Sequence, residues 1–141
     1  MDVTRIDQIA IAVEDLDEAI AFYQRAFGLE VASRERIESD GVEEAMLDVG
    51  GVWIQLLAPT RDDSPVGRFL ARSGPGLHHL GFGVADVADA LDHLREEEVA
   101  LIDTEPRPGG GGHTIAFVHP KGTGGVLVEL VQDEGHGGHE G

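Results

Sequence analysis

Four polar residues stand where an apolar strand pattern should exclude them. Gln8 opens the run Gln8-Ile9-Ala10-Ile11-Ala12-Val13, and His79 holds the matching place in His79-Leu80-Gly81-Phe82-Gly83-Val84, 71 positions later. Gln55 in Gly51-Val52-Trp53-Ile54-Gln55-Leu56 aligns position for position with Glu129 in Gly125-Val126-Leu127-Val128-Glu129-Leu130. Strand side chains alternate between two faces, so His79 falls on the face opposite Leu80, Phe82 and Val84. His79 shares its face with Gly81 and Gly83, which leaves open space around an imidazole. One imidazole, one carboxylate and two amide oxygens form a mixed nitrogen and oxygen donor set suited to a divalent ion that accepts octahedral geometry. Four such ligands leave two neighbouring positions for a bidentate oxygen ligand. A lone Gln or Glu in a strand would count for little, but their coincidence at repeat-equivalent places is hard to ascribe to chance.

The repeat extends to the elements that must position these groups. Asp15 is a helix N-cap with Glu18 in the capping-box position; Leu16, Ala19, Ile20, Tyr23 and Phe27 recur at helical spacing, and Gly28 ends the helix. Tyr23 and Phe27 read as core. Strands follow over 29–37, 42–49 and 52–57, with Glu38-Ser39-Asp40-Gly41 as a turn and Pro59 as a stop. Asp86, 71 positions after Asp15, starts a second helix whose buried stripe is Val87, Ala90, Leu91 and Leu94. Strands are then expected over 99–103, 114–119 and 126–131, with 106–112 as a flexible loop. The fold class is therefore α+β, two paired βαβββ modules whose eight strands form a curved sheet about a metal cleft. The expected organisation is one domain over 1–132, with module one near 5–58, a connector over 59–76 and module two near 77–131. The connector opens a short helix at Ser64-Pro65 and clusters Arg61, Arg68 and Arg72, which reads as a solvated face. From 133 to 141 the chain has no apolar content and is expected to be disordered; its His136 and His139 read as a solvated tail. If the two modules pair about a pseudo-twofold axis, Gln8, Gln55, His79 and Glu129 converge on one point.

Composition excludes several classes of function. With 27 acids against 10 Lys and Arg, and a net charge of −17, the chain lacks the basic surface that nucleic acid requires. Lys121 is the sole lysine, a bias that fits either a protein kept soluble in concentrated salt or a GC-rich genome. The absence of cysteine removes disulfides and thiolate metal sites. No run is long and apolar enough to span a bilayer and the N-terminus lacks a signal-peptide core, so a soluble cytoplasmic protein without a membrane partner is expected.

Several stretches carry a specific resemblance: Gly41-Val42-Glu43-Glu44-Ala45-Met46, Gln55-Leu56-Leu57-Ala58-Pro59, Asp63-Ser64-Pro65-Val66, Leu77-His78-His79-Leu80, Asp103-Thr104-Glu105-Pro106-Arg107 and Phe117-Val118-His119-Pro120-Lys121. From about residue 5 to 132 the chain resembles the vicinal oxygen chelate superfamily and, within it, the methylmalonyl-CoA epimerase family. The resemblance implies a metal-dependent epimerase that interconverts the two C2 epimers of methylmalonyl-CoA by two-base proton transfer through an enolate. It implies Gln8, Gln55, His79 and Glu129 as metal ligands, and Glu44 and Glu129 as the two bases. Glu44 alternates with apolar Ala45, consistent with a side chain turned into a cavity, while Glu43 faces away. The implied ion is divalent, Co²⁺ first, with Mn²⁺, Ni²⁺, Zn²⁺ or Mg²⁺ as alternatives. Arg107 and Lys121, with the connector arginines, are candidates to offset the CoA phosphates, and a homodimer is expected.

One departure is specific to this chain: the first-strand ligand of the epimerases is ordinarily histidine, and here it is Gln8. The exchange is neutral for neutral, and glutamine occupies this position in some glyoxalase I enzymes. A glyoxalase I-like isomerase acting on a thiol hemithioacetal therefore stays open, as does a metal-free small-molecule-binding protein of the same fold. An extradiol dioxygenase fits less well, because Gln8 removes one histidine from its two-His, one-carboxylate iron set.

Overall fold

The computed structural model describes residues 1–133. They fall into two compact units, a first formed by Gln8–His78 and a second formed by Met1–Asp7 with the chain from His79 onward. Strand β1 (Val3–Ala12) begins in the second unit and ends in the first.

In the first unit, β1 is followed by helix α1 (Leu16–Phe27) and strands β2 (Val31–Ile37), β3 (Val42–Val49) and β4 (Val52–Pro59), then by the connector helix α2 (Pro65–Ser73). The strand order is β2-β3-β4-β1, with β1 parallel to β4 and the other pairs antiparallel. Asp15 caps α1 by accepting from the Glu18 amide, and Gly28 ends it in the left-handed region at φ 72°. Leu16 and Ile20 of α1 pack on Ala45, Leu47, Leu56 and Ala58, one face of the sheet. The opposite face carries Ala10, Ala12, Val42 and Leu57, covered in part by Val66, Phe69 and Leu70 of α2. Ser64 caps α2: its hydroxyl donates to the Arg61 carbonyl and accepts from the Gly67 amide, and it is wholly buried.

In the second unit, β5 (Gly76–Val84) is followed by α3 (Val87–Glu96), β6 (Arg107–Pro108), β7 (Thr114–Val118) and β8 (Val128–Gln132). The order is β5-β8-β7-β6, with β5 and β8 parallel. Asp86 caps α3 on the Asp89 amide. Val87, Ala90 and Leu91 of α3 pack on Val84, Ala116, Val118, Val128 and Leu130, so this unit repeats the βαβββ plan of the first.

Four readings of the sequence change. Residues 99–103 form no strand beyond an isolated bridge from Leu101 to Val118; the pairing falls instead to Arg107–Pro108 at the start of the supposed loop. Phe27 is 65% exposed, its ring edge-on to Phe22 and tilted against Tyr23 on the outside of α1. The space beside Gly83 is taken up by Arg5, whose guanidinium ion-pairs with Asp7 and Asp133. Asp133 is thereby tied down as well: it accepts from Arg5 and Thr4, and its amide donates to Val84. The remainder of the expected disordered tail, with His136 and His139, lies outside the described residues. Among those described, no helix is long and apolar enough to cross a membrane.

The turn into β3 is set by Gly41, at φ +65°, whose missing Cβ makes room for Arg61; a Cβ there would lie 2.6 Å from Arg61 Nη1 and 2.8 Å from Ser64 Cβ. Gly28 has a similar φ but nothing within 4 Å of the same position. Backbone strain alone costs about 1–2 kcal/mol, so Gly28→Ala should lose that much in urea unfolding. Gly41→Ala should lose roughly 1–3 kcal/mol more from overpacking; equal losses would show that Arg61 yields freely.

Candidate active site

Cross-strand partners share a face, so the registers decide which side chains meet. In the first unit Gln55 is paired with Ala10 on one side and Met46 on the other, Gln8 with Trp53, and Glu44 with Leu57. Gln8, Glu44 and Gln55 therefore share the face opposite α1, and Gln8 and Glu44 are buried at 4% and 9% exposure. Glu43, one residue away, turns to the other face and pairs with Arg34. Gln55 Nε2 donates to Glu44 Oε1 at 2.7 Å. An ionised carboxylate only accepts, so the amide nitrogen must face it and Gln55 Oε1 must point the other way. That oxygen is shielded from solvent and takes no hydrogen bond among the described residues. A buried oxygen left in this state is costly unless something positive meets it. Glu35 stands directly across from Glu44 on β2, so a neighbouring cross-strand group is a like charge, and the Gln55 amide is a compensating contact.

In the second unit Gly81 and Phe117 both pair with Glu129, and Ile115 pairs with Arg107. His79, Glu129, Phe117 and Arg107 accordingly share the face opposite α3. His79 and Glu129 are buried, at 7% and 9% exposure, with His79 Nε2 3.2 Å from Glu129 Oε1. Donor atoms at metal–ligand distances of about 2.1 Å on neighbouring octahedral positions stand roughly 3 Å apart, so this spacing suits a hydrogen bond or two ligands of one ion. The His79 ring also meets the edge of Phe117, with centroids 5.5 Å apart. No group of three His, Asp or Glu side chains among the described residues could hold an ion by itself. On the first unit's face, the shielded Gln55 Oε1 without a hydrogen bond is a donor of the kind a divalent ion accepts.

The sequence-derived candidates separate accordingly. Gln8, Glu44 and Gln55 meet on one face of the first unit, and His79 and Glu129 on one face of the second. Arg107 joins the second group through Phe117, its guanidinium 5.4 Å from the ring centroid. Lys121 does not: it lies exposed in the turn after β7, where its amide donates to His119 Nδ1. Sequence reasoning missed Phe117 and Asp103. Asp103 accepts from Arg107 Nε with both carboxylate oxygens and from the Phe117 amide. The available signal for Phe117 was its alternation with Ala116 and Val118, which puts it on the face of β7 shared with Ile115.

Comparison with known proteins places this geometry in context. Residues 7–117 match the family model of the Glyoxalase/Bleomycin resistance protein/Dioxygenase superfamily. An uncharacterized Bacillus subtilis protein, YqjC, is 41% identical over 96% of this chain and 99% of its own length. The ethylmalonyl-CoA/methylmalonyl-CoA epimerase of Cereibacter sphaeroides is 35% identical over 91% of this chain and 97% of its own. The solved structure of a serine-to-threonine variant of Streptomyces coelicolor methylmalonyl-CoA epimerase in complex with 2-nitronate-propionyl-CoA matches with a TM-score of 0.90 at 45% identity, covering 95% of this chain and 97% of that one. Likeness of this extent shows the α+β glyoxalase fold that the family resemblance implied. The chain belongs to the methylmalonyl-CoA epimerase family of the Glyoxalase/Bleomycin resistance protein/Dioxygenase superfamily.

Proposed function

We propose that the protein is a methylmalonyl-CoA epimerase that inverts carbon 2 of its acyl-CoA substrate with two carboxylate bases. The observation that carries this reading is a buried carboxylate on the polar face of each unit: Glu44, bonded to Gln55, and Glu129, beside His79. The carbon-2 proton is acidic because loss of it gives an enolate conjugated with the thioester. Glu44 takes or returns this proton on one side of the carbon and Glu129 does so on the other, so one turnover moves one proton in and one out and leaves the opposite configuration. Both are acid–base steps, in which a positioned side chain is commonly worth 10²–10⁴-fold. Gln55 Nε2 fixes the plane of the Glu44 carboxylate, so that the base meets carbon 2 in one orientation. Burial among Ala10, Ala12 and Leu57 keeps bulk water from the enolate.

Gln8, Gln55, His79 and Glu129 are the proposed holders of a divalent ion, with Co²⁺ the preferred species. When bound, such an ion supplies Lewis-acid stabilisation of the developing oxyanion, where one comparable donor is worth about 2.7–4 kcal/mol. The names of the relatives support the substrate, and Arg107, Lys121 and the connector arginines are proposed to face the anionic parts of the thioester. The reading also takes the enzyme to be a cytoplasmic homodimer, the state to be checked by sedimentation.

Purified protein with Co²⁺ and a single methylmalonyl-CoA epimer in D₂O should incorporate deuterium at carbon 2; absence of metal-dependent incorporation would remove the epimerase reading. Glu44→Gln and Glu129→Gln should each cut epimerisation by roughly 10²-fold or more with an unchanged circular dichroism spectrum. Full activity in either would remove that residue from the two-base assignment. Elemental analysis supplies a separate check on the ligands: Gln55→Ala and Gln8→Ala should each retain less Co²⁺ after dialysis than the native chain, and undiminished retention in one would exclude that glutamine.

A further inference from the structure

Arginines in this chain are mostly spent on its own acids. Arg5 uses Nη1 on Asp133 and Nη2 on Asp7; Arg34 uses Nη1 on Asp17 and Nη2 on Glu43; Arg95 uses Nη1 on the Thr104 carbonyl and Nη2 on Asp92. Arg107 is held through Nε, as Arg36 is on Glu38. Its Nε alone donates, to both oxygens of Asp103 at 3.1 Å each, and neither of its Nη groups has a hydrogen bond among the described residues. Its side chain is 41% exposed, so these donors are accessible. Asp103 is held in turn, because its Oδ2 also accepts from the Phe117 amide at 2.8 Å. One carboxylate thus fastens the guanidinium and the strand position beneath it, and the guanidinium lies over the Phe117 ring. That ring touches His79, and its residue is the register partner of Glu129.

A guanidinium gripped through Nε and backed by an aromatic face presents its two Nη groups as a planar fork, the geometry that matches a carboxylate or phosphate with two parallel bonds. We infer that Asp103 is a positioning residue that aims Arg107, and that the Arg107 Nη fork binds an oxyanion of the acyl-CoA substrate on the face bearing His79 and Glu129. This rests on the acyl-CoA reading above and adds to it a residue and a binding geometry. The oxyanion is either the free carboxylate of the acyl group or a phosphate of CoA; both offer paired oxygens to the fork.

The test is binding to the full-length protein as purified, by isothermal titration calorimetry with three ligands. Malonyl-CoA carries both oxyanions, propionyl-CoA only the phosphates, and malonyl-pantetheine only the carboxylate. Arg107→Gln should weaken malonyl-CoA roughly ten- to a hundredfold, the range for hydrogen bonds between charged groups. If the carboxylate is the group held, propionyl-CoA should bind the variant and the native chain alike; if a phosphate is held, malonyl-pantetheine should do so. A merely structural defect would weaken all three equally and overturn the inference, as would dissociation constants within twofold of native for all three. Asp103→Asn keeps an acceptor for the Phe117 amide and loses the charge on Arg107. It should weaken the same ligand as Arg107→Gln, and add nothing in the double variant; a full additional loss there would show that Asp103 does not act through Arg107. Deuterium incorporation is measured separately, so a chain that binds as stated but fails to exchange would refute the epimerase reading alone.

Discussion

The constraint on which the rest depends is the two-residue period of the strands, pinned on one side by a helix. In the first unit Leu16 and Ile20 of α1 demand Ala45, Leu47, Leu56 and Ala58 beneath them, and in the second Val87, Ala90 and Leu91 of α3 demand Ala116, Val118, Val128 and Leu130. Once those faces are taken, Glu44, Gln55 and Gln8, or His79 and Glu129, have only the opposite face left. A slip of one residue would bring Glu44 under α1 and put Ala45 in its place. The placement of these polar groups is thus fixed by apolar packing on the far side of each sheet.

Burying carboxylates is expensive unless something compensates, and each unit provides it differently. Glu44 receives an amide donor from Gln55, and Glu129 lies against an imidazole. Each arrangement sets a polar partner against a buried carboxylate. Most of the arginines pair with other aspartates and glutamates, in a molecule whose net charge is −17.

Much of this was legible locally. The caps Asp15, Ser64 and Asp86 and the glycines at 28 and 41 act over three or four residues, and each is found where its type and spacing put it. The alternation that turned Glu44 away from Ala45 is likewise a local rule. What failed were segments whose state depends on distant partners. Residues 99–103 have the composition of a strand, but β7 pairs with β8 on one edge and with Arg107 and Pro108 on the other, leaving them one bridge at Val118 and a few backbone hydrogen bonds to Phe117 and His119. Phe27 has helical spacing, yet it falls on the last turn, beyond the reach of the sheet. Asp133 reads as the start of a polar tail, and only the arrival of Arg5 and Thr4 from the N-terminus ties it down.

The candidate site divides in the same way. The sequence by itself determined which residues could do the chemistry, because a repeat 71 positions long marks Gln8 and His79, and a second alignment marks Gln55 and Glu129, through strand periodicity alone. Only the tertiary structure decided how those groups are held: that Gln55 turns its nitrogen to Glu44, that Phe117 comes between Arg107 and His79, and that Asp103 grips Arg107 by Nε. The reason is physical. Periodicity assigns a side chain to a face, but a hydrogen bond needs a donor and an acceptor within about 3 Å, and that distance is set by which strands lie side by side and in what register.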